Sequence, residues 1–474
     1  MKKLIALLLA LAAALLTAAC AKLPDVVIDI GEPGSTAYAP SAEPDQTALP
    51  AADDTARPSA EATAAPTEAP TPLPTQEAFI PSSVEEAIAR FEAYPLDYEP
   101  LEREDVKPNR PILEPRYKLG ADGVYRNAAS SGDNEAVIMM TGDLMCQTRQ
   151  QEAGQTSTGY DFNESFDFVR NLFAKADLVV GNLEATITPT SPYMAEMIEV
   201  EERPHLNAPA PFLEALRYAG YDLVVMSNNH NCDTGVRGVY DTLDRVDEYR
   251  LVHTGLFRNT EEPRYVVMDV DGIKVGYLSY ATYFNTKEAH FTQEGRDALL
   301  NAYSKERLDR DMAAARAAGA EYMIVYIHWG VEYSNEPEEQ QRIWAQELAD
   351  SGVDYIIGSH PHALQPYDVI TASDGRQVPI VYSMGNFVSH QKKVVTKDTI
   401  ILRIILKRDG NGRVYLAKEG YVPGRVFLSF NGRDYAVVPV TSPYNSGYSS
   451  SYFAPAYERI TGVIGPKIPV MGTL

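Results

Sequence analysis

Basic residues are scarce in this sequence. Its 42 Lys and Arg are outnumbered by 65 Asp and Glu, which gives a net charge of −23 at pH 7. Nucleic acid backbones are bound through Lys and Arg, so we expect no nucleic acid partner. The shortage does not exclude a polyanionic ligand, because metal ions or a local basic patch can hold one.

Long apolar runs are also scarce, and the one that stands out is at the N-terminus. Residues 4–19 form an unbroken apolar stretch after the basic start Met1-Lys2-Lys3. A membrane-spanning helix needs roughly 20 residues, so an export signal is the better interpretation. The stretch closes on Cys20 in a segment that resembles a bacterial lipoprotein signal, although Leu16 stands one place earlier than usual. We predict a signal over residues 1–20 with Cys20 lipidated, which would anchor the protein to the outer face of the bacterial cell membrane. An ordinary signal peptide or an uncleaved anchor is the alternative.

Cysteine is the third scarcity. After Cys20 only Cys146 and Cys232 remain, and in an exported protein two thiols can pair. Each lies a few residues after a candidate site residue introduced below, so the sulfurs would be near each other if both segments face one site. A single sequence does not fix the Cα separation that a bridge requires. A disulfide and two buried free thiols are both open.

Composition divides the remaining chain into four parts. Residues 21–80 hold ten of the 32 prolines, with much Ala, Thr and Glu and hardly any aromatic residue. Such a stretch buries too little apolar area to offset its ordering entropy, so we predict a disordered spacer. We interpret residues 81–134 as an N-terminal extension with a helix start near Ser82, residues 135–440 as the main domain, and residues 441–474 as a C-terminal tail without an assigned role.

Strand-like and helix-like runs alternate in the main domain. Apolar spacing near 3.6 predicts helices over residues 162–174, 210–219, 236–249, 304–318 and 338–351. This alternation implies parallel strands with helices on both faces. Asp271-Gly272 between β-rich segments indicates a hairpin. A second group of strands is predicted at residues 399–406, 414–419, 424–430 and 435–440, so the predicted class is α/β with mixed sheets.

Five apolar runs, predicted as buried strands, end in residue types that bind metals. The runs are residues 136–143, 177–184, 223–230, 322–328 and 355–362. In open α/β sheets, ligands collect outside the carboxyl ends of the strands, so we expect one shared site. The candidate ligands are Asp143, Glu184, Asn229, His328, His360 and His362, with His230 beside them. Two carboxylates against two divalent cations would leave a positive surplus that attracts a phosphate-like anion and lowers the pKa of a bound water.

Six motifs, in this order, resemble the CapA-type poly-gamma-glutamate capsule synthesis proteins. The motifs are Thr141-Gly142-Asp143, Gly181-Asn182-Leu183-Glu184, the run from Asn228 to Gly235, the run from His328 to Tyr333, Gly358-Ser359-His360-Pro361-His362, and the run from Tyr382 to Phe387. That family is similar in fold to calcineurin-like metallophosphoesterases. The resemblance therefore implies mixed sheets flanked by helices, a role in capsule or surface-polymer assembly, and partners in the capsule synthesis machinery.

The resemblance also implies roles for the candidate residues, with one or two divalent ions (Mn, Zn or Fe) as cofactors. The implied ligand groups are Asp143 with His362, Asn229 with His328 and His360, and Glu184 as the bridge. His230 would be the general acid that protonates a leaving group, and Asp233 would orient its ring. Two departures from the phosphoesterase pattern weaken the first metal: Met145 stands where those enzymes have a His, and Asn182-Leu183-Glu184 replaces Gly-Asp.

Several of these residues also have a structural interpretation. Helix capping is the alternative for Asp143 and Glu184, and a role without metal is the alternative for the pair His360 and His362. Four residues are predicted to line the pocket or to support the ligands: Asn182, Trp329, Tyr333 and Asn386. Core packing is the alternative for Trp329 and Tyr333, and a turn for Asn386. We interpret His205, His253, His290 and His390 as structural.

Two functions from different classes follow. The first is an exported, membrane-tethered, metal-dependent hydrolase or transferase acting on a phosphoester-type substrate, which the presence of His230 favours. The second is a protein that binds or guides an anionic surface polymer without much catalysis, which the missing His at Met145 favours.

Overall fold

The computed structural model of the protein describes residues 79–96, 100–102, 104, 106–197, 205–441 and 449–471. The predicted export signal with Cys20, and the predicted spacer up to residue 78, lie outside the described residues. Among the described helices, none combines the length and the apolar character needed to cross a membrane.

The described strands and helices follow one another along the chain as two interleaved series. The strands are β1 (Tyr117–Leu119), β2 (Val124–Asn127), β3 (Glu135–Leu144), β4 (Gln155–Thr156), β5 (Gly159–Tyr160), β6 (Leu178–Leu183), β7 (Leu223–Val225), β8 (Val252–Thr254), β9 (Val266–Val270), β10 (Ile273–Ala281), β11 (Tyr322–His328), β12 (Tyr355–Ser359), β13 (Leu364–Thr371), β14 (Gln377–Met384), β15 (Asn386–Val388), β16 (Asp398–Arg408), β17 (Val414–Phe430) and β18 (Arg433–Pro439). The helices are α1 (Val84–Phe91), α2 (Thr148–Gly154), α3 (Asp167–Phe173), α4 (Pro211–Ala219), α5 (Gly235–Glu248), α6 (Gln293–Leu299), α7 (Lys305–Ala317), α8 (Glu339–Asp350) and α9 (Ser450–Ile464), with 3-10 turns at Asn163–Phe166, Met194–Glu196, Lys287–His290 and Val394–Thr396.

Four of the five helices predicted in the main domain begin and end within one residue of their predicted bounds, and side-chain caps fix some helix starts locally. Ser304 caps α7 by accepting a hydrogen bond from the backbone N–H of Arg307 (3.1 Å). Ser83 caps α1 in the same way from Glu86 (3.2 Å). A side-chain oxygen at this position satisfies a backbone donor that the helix leaves unpaired. The predicted helix over residues 162–174 differs, since it starts as a 3-10 turn before α3.

Apart from β4 and β5, which pair only with each other, the described strands form two mixed sheets, as predicted. The first sheet has the order β1-β2-β9-β10-β11-β12-β14-β13, and the second has the order β18-β17-β16-β3-β6-β7-β8, with β15 also paired to β3. β10, β11, β12 and β14 are parallel in the first sheet, and β3, β6, β7 and β8 are parallel in the second. The hairpin between β9 and β10 turns at Asp271 (φ 50°) and Gly272 (φ 86°), as predicted.

The two sheets pack face to face, and helices cover the outer face of each. The core between the sheets contains Ile138 and Val180 from the second sheet and Tyr277 and Ile324 from the first. Helices α3, α4 and α5 pack on the outer face of the second sheet, and α7 and α8 on that of the first. The alternation implied helices on both faces of one sheet; here the inner face of each sheet is instead buried against the other. Both arrangements give strands that are apolar on both sides.

The chain crosses from one sheet to the other at Gly385, between β14 and β15. The carbonyl of Gly385 accepts a hydrogen bond from the backbone N–H of Asp143 (3.0 Å). A Cβ at Gly142 would lie 1.9 Å from the Gly385 oxygen. Any larger residue at position 142 would therefore push apart the strands that carry Asp143 and Asn386.

Segments outside residues 135–440 also join this assembly. β2 extends the first sheet by pairing in parallel with β9. Helix α9 buries Phe453, Ile460 and Ile464 in the core between the sheets. The separate strands predicted at 414–419 and 424–430 are one strand, β17, which pairs with β16 through a register shift after Ile405.

Candidate metal centre

The candidate ligands meet where the two sheets join, at the carboxyl ends of their parallel strands. The second sheet supplies carboxylates and an amide, and the first supplies imidazoles. The residues are Asp143 in β3, Glu184 directly after β6 and Asn229 in the turn after β7, and then His328 at the end of β11 and His360 and His362 directly after β12. All six side chains are buried. The sequence-predicted ligands are thus brought together.

Glu184 lies at the centre of this group and lacks ordinary partners. Its side chain is fully buried, and neither carboxylate oxygen has a hydrogen-bond partner in the described part of the chain. Oε1 lies 3.8 Å from Nε2 of each of three histidines, His230, His328 and His362. All three separations exceed hydrogen-bond lengths, and those of His328 and His362, the two predicted ligands among them, suit atoms that share a cation at about 2.1 Å. Because a bare buried carboxylate costs several kcal/mol, a cation fits this position.

Hydrogen bonds on the outer side of His328 and Asn229 determine which atoms face the centre. His328 Nδ1 lies 2.9 Å from the hydroxyl of Ser359 on the outer side, which leaves Nε2 facing inward. Asn229 donates from Nδ2 to Asn285 Oδ1 (3.1 Å), so its Oδ1 turns inward. This oxygen lies 2.9 Å from His328 Nε2. With the ring proton on Nδ1, both inward atoms present lone pairs, as metal ligands require.

The same reasoning orients the other two imidazoles. Nε2 of His360 contacts the hydroxyl of Tyr283, and its Nδ1 lies 3.2 Å from His328 Nε2. Nδ1 of His362 donates to Asn386 Oδ1 (2.9 Å), so its Nε2 faces the buried carboxylate. Asn386 therefore supports a ligand from behind, as predicted for it, rather than only forming a turn.

Asp143 forms the other side of the centre. Its Oδ1 accepts a hydrogen bond from Asn182 Nδ2 (2.9 Å), and its Oδ2 accepts one from the backbone N–H of His360 (3.4 Å). Oδ2 also lies 3.5 Å from His362 Nδ1. The buried Oδ1 of Asn182 has no hydrogen-bond partner among the described residues. Beside Asp143 there is thus a buried amide oxygen, Asn182 Oδ1, that a cation or a bound water could satisfy.

The electrostatics of the group favour a bound cation. Burial lowers the pKa of His328 and His360 well below the ordinary value, and neighbouring imidazoles lower it further. Both rings are therefore neutral and able to bind metal. Burial, together with the nearby Asp143, raises the pKa of Glu184 well above its ordinary value. One ligand atom each from Asp143, Glu184 and His328 lie within 4.8 Å of one another. Carboxylates and neutral imidazoles at this spacing suit a divalent transition metal, whose binding would displace a proton from Glu184.

His230 faces the same space but is held differently. Its Nδ1 donates to Asp233 Oδ2 (2.8 Å), so Nε2 points toward Glu184. Asp233 Oδ2 also accepts the backbone N–H of Leu206 (2.7 Å), and Oδ1 lies 3.2 Å from Lys287 Nζ. Burial opposes ionisation of Asp233, but His230 and Lys287 outweigh it and hold its pKa below the ordinary value. The ionised carboxylate fixes the orientation of the imidazole and stabilises a proton on it.

The loop after β10 contributes three residues that sequence reasoning missed. Tyr283, Asn285 and Lys287 contact, respectively, the imidazole of His360, the amide of Asn229 and the carboxylate of Asp233. Asn285 (φ 57°) and Thr286 (φ 60°) are both left-handed, which turns the loop back onto the centre. The one signal in the sequence is Asn285, because Asn tolerates this conformation.

Left-handed backbone is found in the segment between β12 and β13, which carries two candidate ligands, and in a residue bonded to it. His360 (φ 95°), His362 (φ 56°) and the adjacent Tyr333 (φ 70°) all adopt it, at a typical cost of about 1–3 kcal/mol each. The backbone N–H of Tyr333 donates to the carbonyl of Pro361 (2.6 Å), between the two histidines. The centroids of the Tyr333 and His362 rings are 6.1 Å apart, with the ring planes tilted by 38°. Tyr333 is also 36% exposed, which places it at the mouth of the centre.

Trp329 packs in the core and does not line the centre. It is fully buried, and its Nε1 donates to the carbonyl of Tyr382 (2.9 Å). Its ring stacks on those of Trp344 and Tyr382, under the helices of the first sheet. The pocket role predicted for Trp329 is therefore replaced by its core alternative.

The remaining residues singled out in the sequence differ in their surroundings. Met145, at the position of the missing His, is buried. Cys146 and Cys232 are buried free thiols, so the disulfide alternative is not found. Among the four histidines interpreted as structural, His205 is close enough to act electrostatically on Asp233, and burial lowers its pKa to about 4. The other three lie elsewhere: His253 pairs with Asp247, His290 lies near the carbonyl of Tyr94, and His390 packs against Tyr435.

The two packed mixed sheets and the buried centre define an α/β protein with a candidate metal site. A family model described as "Bacterial capsule synthesis protein PGA_cap" matches residues 137–391. The chain belongs to this family of bacterial capsule synthesis proteins, as its motifs predicted.

Individual relatives agree with the family. The chain is 30% identical over 287 residues to "Capsule biosynthesis protein CapA" of Bacillus anthracis, a match that covers 59% of this chain and 66% of that protein. It is 28% identical over 283 residues to "PGA biosynthesis protein CapA" of Bacillus subtilis, covering 59% and 70%. The matches thus span about two thirds of each relative. Among solved structures, the chain is similar to the calcineurin-like phosphoesterase YfkN from Bacillus subtilis, with 13% identity, a TM-score of 0.38, and coverage of 69% of this chain and 97% of that one.

Proposed function

We propose that this protein is exported, tethered outside the cell membrane, and acts in the synthesis or export of an anionic capsule polymer through a metal-dependent hydrolase-like site. Family membership supports the capsule role. The observation that carries the hydrolase proposal is the buried Glu184 carboxylate, which has no hydrogen-bond partner among the described residues and faces three imidazole nitrogens.

Two groups of residues would hold the cations on either side of Glu184. One group is Asp143 with His362, and the other is Asn229 with His328 and His360. When bound, divalent ions lower the pKa of a water and polarise the bond that it attacks. The chain contributes a dry, rigid support, because each imidazole is fixed by an outer hydrogen bond or contact to Ser359, Tyr283 or Asn386.

His230 is the general acid in this proposal. Its Nε2 faces the space among the ligands, so a proton held there is directed at a leaving group. Asp233 accepts a hydrogen bond from His230 Nδ1, and its negative charge would stabilise the protonated ring. Lys287 and the backbone N–H of Leu206 hold Asp233 in place. A pure binding site has no need of such an arrangement.

The substrate is an ester or amide that belongs to an anionic polymer. Two relatives carry names that refer to capsule or PGA biosynthesis, and gamma-glutamyl amides are therefore candidates beside phosphate esters. A chain with a net charge of −23 repels such a polymer as a whole. Metal ions at the site would reverse that repulsion locally.

Elemental analysis of the purified full chain tests the centre. We expect stoichiometric Mn, Zn or Fe in the wild type and its loss in the double variant of Asp143→Ala and His360→Ala. Assays on phosphomonoesters, phosphodiesters and gamma-glutamyl peptides with each metal then identify the reaction. A wild type without bound metal, or a double variant that keeps it, contradicts the proposal.

One observation favours a second function, namely polymer binding or guidance without catalysis. Met145 offers a thioether, a weak ligand, at the position where phosphoesterases have a His. A stoichiometric metal content combined with no turnover of any assayed substrate would support this second function over the first.

A further inference from the structure

We propose that Lys393 and Tyr333 form a subsite that binds a second anionic group of the substrate beside the metal centre. The ligand class is a chain that carries repeated negative charges, either carboxylate or phosphate. The inference rests on the proposed function and extends it to the entrance of the same site: it assigns a ligand class to the pocket position of Tyr333 and a role to Lys393, which has none above.

The subsite begins at Tyr333. Its backbone N–H is bound to the carbonyl of Pro361, and its ring lies 6.1 Å from that of His362. Tyr333 is 36% exposed, so part of it is open to solvent. A group bound against Tyr333 would therefore be a direct neighbour of the segment that carries His360 and His362.

Lys393 lies over this ring with its charge uncompensated. Nζ is 3.6 Å from the centroid of the Tyr333 ring. Within the described part of the chain, no carboxylate oxygen lies within ion-pair distance of Lys393. Arg110, Arg149 and Arg433, by contrast, are each paired with a carboxylate. A cation–π contact positions the ammonium but does not neutralise it. The charge remains available to an incoming anion.

The segment that carries Lys393 is fastened to a metal ligand. Nδ2 of Asn386 contacts Ser389 Oγ (3.0 Å), Gln391 Oε1 (3.0 Å) and the carbonyl of Thr396 (3.2 Å). The opposite end of the same amide accepts the hydrogen bond of His362. One asparagine therefore fixes both the lysine segment and the imidazole, which keeps the subsite at a constant distance from the centre.

Other basic residues continue the positive region away from the centre. Lys392, Lys397 and Arg149 all act electrostatically on His390, next to this segment, although Arg149 is paired with Glu152. Lys392 is exposed and, among the described residues, unpaired. One acidic group opposes them: Glu332 neighbours Tyr333 and acts on it electrostatically. A local positive strip in a strongly acidic chain favours a polyanion that extends out of the centre over a small single anion.

Equilibrium binding to the full chain tests the subsite without requiring turnover. The probes are fluorescent poly-gamma-glutamate, the same polymer with its free carboxyls amidated, and polyphosphate, each measured by anisotropy at low salt. We expect Lys393→Glu to weaken binding of an anionic probe by about tenfold or more, and rising salt to weaken wild-type binding, because an exposed charge pair is screened. The amidated polymer should bind weakly to both proteins.

Two matched variants complete the experiment. Lys418→Glu makes the same charge change at an exposed position of β17 and should leave binding within about twofold of the wild type. Glu332→Gln removes the opposing negative charge and should strengthen binding. The probe that responds more strongly to Lys393→Glu identifies the anion as carboxylate or phosphate. Equal affinity in the wild type and Lys393→Glu, or an equal loss in Lys418→Glu, overturns the subsite. Metal content, which Lys393→Glu should leave unchanged, separates this result from failure of the proposed centre.

Discussion

Two buried carboxylates in this molecule have opposite surroundings. Asp398, at the start of β16, accepts hydrogen bonds from Arg425 (2.8 Å) and, at both oxygens, from Arg459 (2.7 and 2.9 Å). Glu184 is equally buried but faces imidazoles instead of guanidinium groups and has no hydrogen-bond partner in the described chain.

The difference separates a structural charge from a functional one. Asp398 is fully compensated by the protein itself, and its pairing with Arg459 fastens α9 to the second sheet. Glu184 is compensated only if a cation arrives from outside, because neutral imidazoles bring no positive charge. Burial alone therefore does not identify a functional carboxylate; the identity of its neighbours does.

The largest expected effect is that of Glu184→Gln. We expect loss of bound metal and of all metal-dependent activity. In EDTA and above about pH 4.3 the variant should be more stable than the metal-free wild type, since Glu184 must either take up a proton on folding or remain charged without a partner, and Gln does neither. Because the pKa of Glu184 is raised in the folded state, the metal-free wild type should lose stability as the pH rises above about 4.3 and through the folded pKa, and the variant should lack this loss. Urea unfolding across pH measures both; a variant that still binds metal contradicts the comparison.

The next effect is that of His230→Gln. We expect a fall of about 10² to 10⁴ in turnover with unchanged metal content, because His230 is proposed to donate a proton and not to bind metal. His253→Gln, which removes a histidine paired with Asp247 away from the centre, is the control. Undiminished turnover in His230→Gln would rule out its acid role.

Asp398→Asn should give the reverse of Glu184→Gln. Arg425, which is largely buried, would lose its charge partner, and we expect a loss of about 3 kcal/mol in the free energy of unfolding. Metal content and turnover of the folded protein should not change. Chemical denaturation and elemental analysis on the same preparation check this, and a loss of metal would mean that the two carboxylates are not independent.

Lys287→Met should have the smallest effect. It removes a cation from Asp233 while leaving the hydrogen bond from His230, so the pKa of Asp233 should rise toward its ordinary value. As the pH is lowered, Asp233 then protonates earlier, and the acidic limb of the pH–rate profile should move to higher pH. Near neutral pH we expect little change in turnover, because an Asp with an ordinary pKa stays ionised there. Lys287→Arg should restore most of the shift of the acidic limb, and an unshifted profile in Lys287→Met would separate Lys287 from the acid.

The sequence predicts the centre well because its signals are local. His328 ends β11, Asp143 is the second-last residue of β3, and Glu184 directly follows β6, as the strand-end pattern requires. The pattern is less direct for Asn229, since β7 ends at Val225 and a turn carries the ligand. The roles of these residues stay predictions until metal is measured.

What the sequence did not predict depends on contacts between distant segments. Tyr283 and Lys287 reach the centre only because a left-handed turn folds their loop back onto it, and no spacing rule reports that. Trp329 follows a ligand directly, but strand alternation sends its side chain to the opposite, helix-covered face. Helix α9 lies in a segment rich in Tyr and Ser whose apolar face becomes visible only against the sheets.

The location of the centre between two sheets has a consequence for folding order. Its contacts join residues far apart in the chain, 217 residues for Asp143 and His360 and 99 for Asn229 and His328. Neither sheet alone contains a complete ligand group around Glu184, so high-affinity metal capture must await docking of both. Contacts of such long range form late. A metal ion bound here would then stabilise only the fully folded protein, and a chain that stops folding before the sheets dock would bind none.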